Sequence, residues 1–182
     1  MIDQSFWKGR RVLITGHTGF KGGWLSLWLT QLGAKVSGYA IDNPSSPCFY
    51  EVANVASSMN QSINGDIQNA KLFAKAMSDF SPEIVIHMAA QSLVKESYTD
   101  PSLTYSTNIM GTVNLFEAVR KTPSVKVILN ITSDKCYENN ESNSGYSEAD
   151  PMGGYDPYSS SKGCAELISS AYRKSFFQQE GI

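Results

Sequence analysis

Cysteine is scarce in this sequence: Cys48, Cys136 and Cys164 lie far apart, with no CxxC pair and no Cys/His ligand spacing. That excludes a disulfide framework and gives no metal site, so all three read as free thiols of a reducing compartment. Basic runs are absent as well, and a formal net charge of -2 leaves no electrostatic footprint for nucleic acid. The longest apolar helix-like run, near Trp24 to Leu32, is too short to span a bilayer, so no membrane partner is expected. The opening residues Met1-Ile2-Asp3-Gln4-Ser5 lack the basic and apolar regions of a signal peptide. A cytoplasmic location is therefore expected, and the sequons at Asn60, Asn130 and Asn140 read as chance matches. Internal repeats and linkers are missing too. What remains is 182 residues, 41% hydrophobic and 18% charged, which suits one globular domain with a sizeable core and a small-molecule partner.

The most informative stretch is Gly16-His17-Thr18-Gly19-Phe20-Lys21-Gly22. It follows an apolar strand-like run, Arg11 to Thr15, and opens a helix-like run, Phe20 to Leu32, in which Trp24, Leu25, Leu27, Trp28, Leu29 and Leu32 mostly keep helical spacing. Strand, glycine turn and helix in that order form the context of a dinucleotide fingerprint. The helix N-terminus offers unpaired N–H groups to phosphates. Downstream, Gly33 stops the helix and Lys35–Ile41 reads as a second strand ending at Asp42. An acid there favours NAD over NADP by bonding a ribose hydroxyl; the other reading is a solvated turn aspartate. Residues 43–47 are a turn-rich loop. Further strands are expected at Ser62–Ile67, Glu83–Met88 and Lys126–Thr132. Helices are expected at Gln68–Ser78, from Asp100-Pro101 to about Lys121, and at Tyr158–Gln178, with a loop over Glu138–Pro157. Strands alternating with helices define the class as α/β, a Rossmann-like doubly wound parallel sheet with helices on both faces.

Ligands of such sheets bind outside the carboxyl ends of the strands. Two further strand ends are dense in useful groups: His87-Met88-Ala89-Ala90-Gln91-Ser92, whose small residues let backbone pass close to a flat ring, and Thr132-Ser133-Asp134-Lys135-Cys136-Tyr137. Tyr158 and Lys162, four apart, fall on one helix face. An ammonium beside a phenol favours the phenolate, so such a tyrosine can act as a base.

Gly16-x-x-Gly19-x-x-Gly22 with Tyr158-x-x-x-Lys162 resembles the extended short-chain dehydrogenase/reductase superfamily. Thr132 to Tyr137 resembles the corresponding segment of its nucleotide-sugar 4,6-dehydratases, and Asp134-Lys135, in place of the usual Asp-Glu, resembles the CDP-glucose branch. The likeness extends through Gly16–Leu25, His87–Gln91 and Thr107–Asn114. It implies an NAD-dependent hydro-lyase that converts CDP-D-glucose to CDP-4-dehydro-6-deoxy-D-glucose and water, a step of deoxysugar and O-antigen biosynthesis, and a homodimer built on helices like 101–121 and 158–178. The alternatives are an NAD-binding fragment without turnover, or a related dTDP- or GDP-sugar dehydratase or epimerase.

By position, the resemblance makes Tyr158 the base at the sugar 4-hydroxyl and Lys162 its cationic neighbour on the nicotinamide ribose. Ser133 would bond the reacting oxygen, Lys135 take the C5 proton, and Asp134 protonate the leaving C6 hydroxyl. The alternative for Lys135 is a plain pair with Asp134. Cofactor contacts are expected from Gly16, Thr18, Gly19, Phe20, Lys21, Gly22, Asp42, Asp66, Ile67, Ala89, Ala90, Gln91, Asn108, Tyr158 and Lys162. Asp66-Ile67 and Asn108 read equally as capping and buried-amide residues. His87 reads as a core histidine and His17 as a loop-shaping one. The methionines and the Trp24/Trp28 pair read as core. Residues 1–182 thus look like an NAD-binding domain without the later substrate lobe of the family. A final helix without its neighbours would expose Leu167, Ile168, Phe176 and Phe177.

Overall fold

The computed structural model describes residues 3–43, 45–141 and 144–178. Pro44 of the expected 43–47 loop, Ser142 and Asn143 of the 138–157 loop and residues at both ends lie outside that range. Asp3 caps a single turn, α1 (Gln4–Trp7), by accepting from the Ser5 N–H at 2.8 Å. The chain then runs β1 (Arg11–Thr15), α2 (Phe20–Gln31), β2 (Lys35–Ala40), α3 (Phe49–Val52), α4 (Val55–Ser58), β3 (Gln61–Asn64) and α5 (Ala70–Phe80). Next come β4 (Ile84–His87), α6 (Val94–Thr99), α7 (Pro101–Tyr105), a π turn (Ser106–Met110), α8 (Gly111–Arg120) and β5 (Val127–Asn130). A 3-10 turn (Asp134–Cys136), α9 (Pro157–Tyr172) and a second π turn (Arg173–Phe177) follow among the described residues.

The five strands form one parallel sheet in the order β3-β2-β1-β4-β5. Alternation along β1 sorts the core into two halves. Leu13 joins Tyr39, Phe73, Met77, Val85, Leu115 and Val119 on the face covered by α5 and α8. Val12 and Ile14 join Leu29, Val36, Ile84 and Ile86 on the other, beneath α2. Both faces bury apolar side chains, as a doubly wound sheet requires. Chain order reverses at β1, with β2 on one side and β4 on the other, and this opens a crevice beyond the strand ends.

Several expectations needed correction. Trp24 and Trp28 are 54% and 51% exposed, with Trp24 stacked on Phe49 at 4.5 Å. Helix α2 carries large apolar residues on several faces, so composition could not tell which face meets the sheet; Gly22, Gly23, Ser26 and Leu29 are the residues that bury. Met110 is also half exposed, while Met77 is core. The helix from Asp100 to Lys121 is interrupted by the π turn, and α3, α4 and α6 were unanticipated. Of the four apolar residues expected to be exposed on the last helix, Leu167 is exposed; Phe177 is buried, and Ile168 and Phe176 pack on the main core. Among the described residues no helix is long and apolar enough to cross a membrane.

Candidate active site

The turn after β1 is shaped by backbone contact. Gly16 has φ +76°, and a Cβ there would sit 2.8 Å from the Ala89 nitrogen and the Met88 carbonyl. A Cβ on Gly22 would strike Gly16 and His17 backbone atoms. Only glycine lets the turn lie this close to both the strand end and the helix. Gly19 caps α2 without a side-chain hydrogen bond, which leaves N–H groups of the first turn for a ligand anion.

A cavity of about 280 Å³ opens beside this turn. It gathers Gly16, Thr18 and Gly19 from the turn and Asp42 beyond β2. Asp66 and Ile67 follow β3, and Ala89, Ala90 and Gln91 follow β4. Nine residues predicted from separate stretches thus line one cleft. Phe20 and Lys21 instead lie exposed on the first turn of α2, outside that lining. The Asp42 carboxylate accepts from Asn64 Nδ2, and Asp66 Oδ1 accepts from the Gln68 N–H at 2.9 Å. Tyr39 forms part of the wall and donates its hydroxyl to the Asp66 carbonyl at 3.1 Å.

Thr15, which sequence reasoning passed over, organises the β4 end. Its hydroxyl oxygen accepts from the Met88 and Ala89 N–H groups at 3.1 and 3.0 Å and lies 2.7 Å from His87 Nδ1. With both lone pairs engaged, the hydroxyl donates to His87, so Nδ1 is the bare nitrogen of a neutral imidazole. Burial and the nearby Lys162 ammonium push His87 down to about 3. His17 is buried as well, its Nε2 2.8 Å from Ser62 Oγ, and burial lowers it to about 4. It ties the glycine turn to β3, a stronger form of the expected loop-shaping.

Both histidines bind a proton more readily unfolded, where the ordinary pKa is about 6.5. Between that value and the folded ones the unfolded state holds more protons, so stability rises with pH there. Thermal midpoints should therefore be constant above about pH 6.5 and fall steadily as the pH is lowered towards 4. His87→Gln, which keeps an acceptor for Thr15, should flatten part of that slope. A midpoint that holds level down to pH 4 would contradict the burial assigned to both rings.

The residues expected to move protons lie on the segment after β5 and on α9. Ser133 Oγ accepts from the Lys135 N–H at 3.2 Å and donates to Asp134 Oδ1 at 3.1 Å. Asp134 and Lys135 are exposed and line a second cleft of about 250 Å³ with Tyr137, Tyr146 and Asp156. Lys135 forms no ion pair with Asp134 within 4.0 Å among the described residues; against its partial burial, Asp156 is held below the ordinary carboxylate range by hydrogen bonds from Ser159, with the Lys135 charge adding to them. Asp156 also caps α9, accepting from the Ser159 N–H at 2.9 Å, with Pro157 at the first helical position. That cap was legible in Asp156-Pro157 and was missed inside the expected loop.

Helix α9 places Lys162 one turn beyond Tyr158, its ammonium 6.0 Å from the tyrosine ring centre. Lys162 is buried and donates to the Ile131 carbonyl at 3.3 Å. Burial lowers its pKa, with Glu166 opposing. Asn108 Nδ2 donates to Ser161 Oγ at 2.8 Å and to the Gln91 carbonyl at 3.0 Å, and its Oδ1 accepts from the Gln91 N–H at 2.8 Å. One buried amide therefore joins α9 to the wall of the first cleft.

A parallel sheet with the 3-2-1-4-5 order, a close glycine turn and a cleft at the reversal point define a Rossmann-like α/β domain of the dinucleotide-binding type. The family is narrower than that. The chain belongs to the GDP-mannose 4,6-dehydratase family, whose model matches residues 13–178. It is 57% identical to the CDP-glucose 4,6-dehydratase of Salmonella typhimurium over 187 aligned residues, covering 100% of this chain and 52% of that protein. Among solved structures it is similar to the dTDP-glucose 4,6-dehydratase of Bacillus anthracis in complex with NAD, with a TM-score of 0.75 at 26% identity over 92% of this chain and 52% of the other. The UDP-glucose 4-epimerase of Thermotoga maritima with UDP-glucose gives a TM-score of 0.80 at 26% identity over 91% and 52%. The chain spans about half the length of these relatives.

Proposed function

We propose that this chain is the cofactor-binding and proton-transfer half of an NAD-dependent CDP-glucose 4,6-dehydratase, a hydro-lyase. The observation that carries this reading is 57% identity across the whole chain to an enzyme of that name. The residues present fit the cofactor: the glycine turn admits backbone-close contact, and the first turn of α2 has free N–H groups for a pyrophosphate. When bound, NAD would supply a hydride acceptor for C4 of the sugar and, once reduced, a hydride donor for C6.

The protein residues do the rest. Asp42 bonds a ribose hydroxyl, and Asp66 with Ile67 holds the adenine. Ala89, Ala90 and Gln91 run along the cofactor with Gly16, Thr18 and Gly19, while Phe20, Lys21 and Gly22 contribute through the backbone N–H groups of the first helical turn. Tyr158 takes the proton of the sugar 4-hydroxyl, with the Lys162 ammonium beside it to balance the charge that develops. Ser133 gives its hydrogen bond to the same sugar oxygen in place of Asp134. The new ketone acidifies C5–H, Lys135 takes that proton as base, and Asp134 protonates the departing C6 hydroxyl; Lys135 gives its proton back to C5 when C6 is reduced. We place the protein in the cytoplasm, in deoxysugar and O-antigen biosynthesis, as a homodimer through helices α7–α8 and α9.

The half-length match favours a second reading, an NAD-binding module that needs the remainder of the enzyme for turnover. Incubation with NAD and CDP-, dTDP-, UDP- or GDP-linked hexose, followed by mass spectrometry, separates them. Loss of water from CDP-glucose alone is the expected result. Loss from a different nucleotide sugar would overturn the substrate, and NAD binding without water loss would leave the module.

A further inference from the structure

Glu166 stands four residues beyond Lys162 on α9, on the face that carries Tyr158 and Lys162. Its carboxylate accepts a hydrogen bond from Thr132 Oγ1, the residue just before Ser133-Asp134-Lys135. A neighbouring tie runs between the same surfaces, from Asn130 Nδ2 to Ser169 Oγ at 2.9 Å. We propose that Glu166 is a positioning residue: clasped by Thr132, it fixes Lys162 beside Tyr158 and locks α9 to the segment that carries Asp134 and Lys135.

Lys162 is 7% exposed and makes no ion pair within 4.0 Å among the described residues. A buried ammonium needs compensation. The Ile131 carbonyl supplies one acceptor, and Glu166 is the carboxylate whose field supports the charge. The other groups facing this region do not. From β4, His87 is neutral and is itself disfavoured as a cation by Lys162. From the 3-10 turn, burial and then Glu166 raise the Cys136 thiol, and Tyr137 beside it is a phenol raised first by desolvation, with Cys136, Glu148 and Glu166 adding to it. Tyr158 lies on the same helix as Lys162. Thr132 thus anchors the carboxylate one helical turn beyond Lys162, and among the described residues no ion pair within 4.0 Å holds the ammonium away from Tyr158. The consequence for proton transfer rests on the function proposed above; the clasp and the charge balance do not.

The test follows Lys162 directly. Protein labelled at the lysine side-chain nitrogen and adjoining carbon is titrated by NMR, with the Lys162 signal identified by its loss in Lys162→Arg. In Glu166→Gln the protonation constant of Lys162 should fall about threefold or more, the loss of one partly screened opposite charge. An unmoved titration in folded Glu166→Gln overturns the positioning role, even where its melting temperature falls. Should that variant not fold, Thr132→Val decides in the same way: a lowered constant supports the clasp and an unchanged one removes it. Failure of the chain to bind NAD, with the Lys162 shift intact, would overturn the functional reading alone.

Discussion

Gly16→Val should lower the melting temperature by about 10 °C and weaken NAD binding about a hundredfold. Two costs add. A β-branched residue at φ +76° is forced into the left-handed region, which costs roughly 1–2 kcal/mol or more. The new Cβ would also meet Ala89 and Met88 backbone at 2.8 Å, and such overpacking costs about 1–3 kcal/mol because backbone, unlike a flexible side-chain end, cannot swing aside. A sum near 3 kcal/mol corresponds to about 10 °C for a domain of this size. Pushing the β4 end away also misplaces Ala89 and Ala90, and 1.4 kcal/mol is about tenfold in affinity. Gly9→Val isolates the second cost, since Gly9 has φ +77° but nothing within 4 Å of a built Cβ. Circular dichroism melts and NAD titrations of both variants check this. Equal effects from the two would show that close approach at Gly16 contributes nothing.

What made the glycine turn readable from sequence is that its determinants are local. Strand, turn and helix lie within Arg11–Gln31, and each glycine answers to neighbours a few residues away or to the next strand. Tyr158 and Lys162 were readable for the same reason, since helical spacing alone sets them on one face. The gathering of Asp42, Asp66 and Ala89–Gln91 was readable through one topological rule, that residues just past parallel strands meet at the reversal point. Long-range polar contacts were not. Nothing in the sequence links Thr132 to Glu166, His17 to Ser62 or Asn108 to Ser161, because a side-chain hydrogen bond leaves no periodic trace. Trp24 and Trp28 failed for an opposite reason: where large apolar residues lie on several helix faces, hydrophobicity carries no direction. The π turn at Ser106–Met110 hides inside a run that otherwise reads as plain helix from its proline cap onward.

Phe73→Ala should destabilise the fold by about 3–5 kcal/mol, the usual cost of emptying a fully buried phenylalanine site. Phe73 is 0% exposed and meets Tyr39 edge-on, ring centres 5.0 Å apart and planes at 67°. That contact gives the substitution a reach into the site. Tyr39 is itself fully buried, forms part of the cleft wall, and holds the Asp66 carbonyl through its hydroxyl. Removing the ring behind it frees Tyr39 to tilt, and Asp66 and Ile67 move with it. Tyr39→Phe separates position from bonding, because it keeps the packed ring and loses one hydrogen bond worth about 1 kcal/mol. Melting curves should show Phe73→Ala lower by roughly 10 °C or more and Tyr39→Phe by only a few degrees. NAD titrations well below both transitions should show Phe73→Ala about tenfold weaker, more than Tyr39→Phe. Were NAD affinity to survive Phe73→Ala while stability falls, the β3 end of the cleft would be held by Asp66 and its Gln68 turn alone, and the aromatic backing would serve the fold without serving the site.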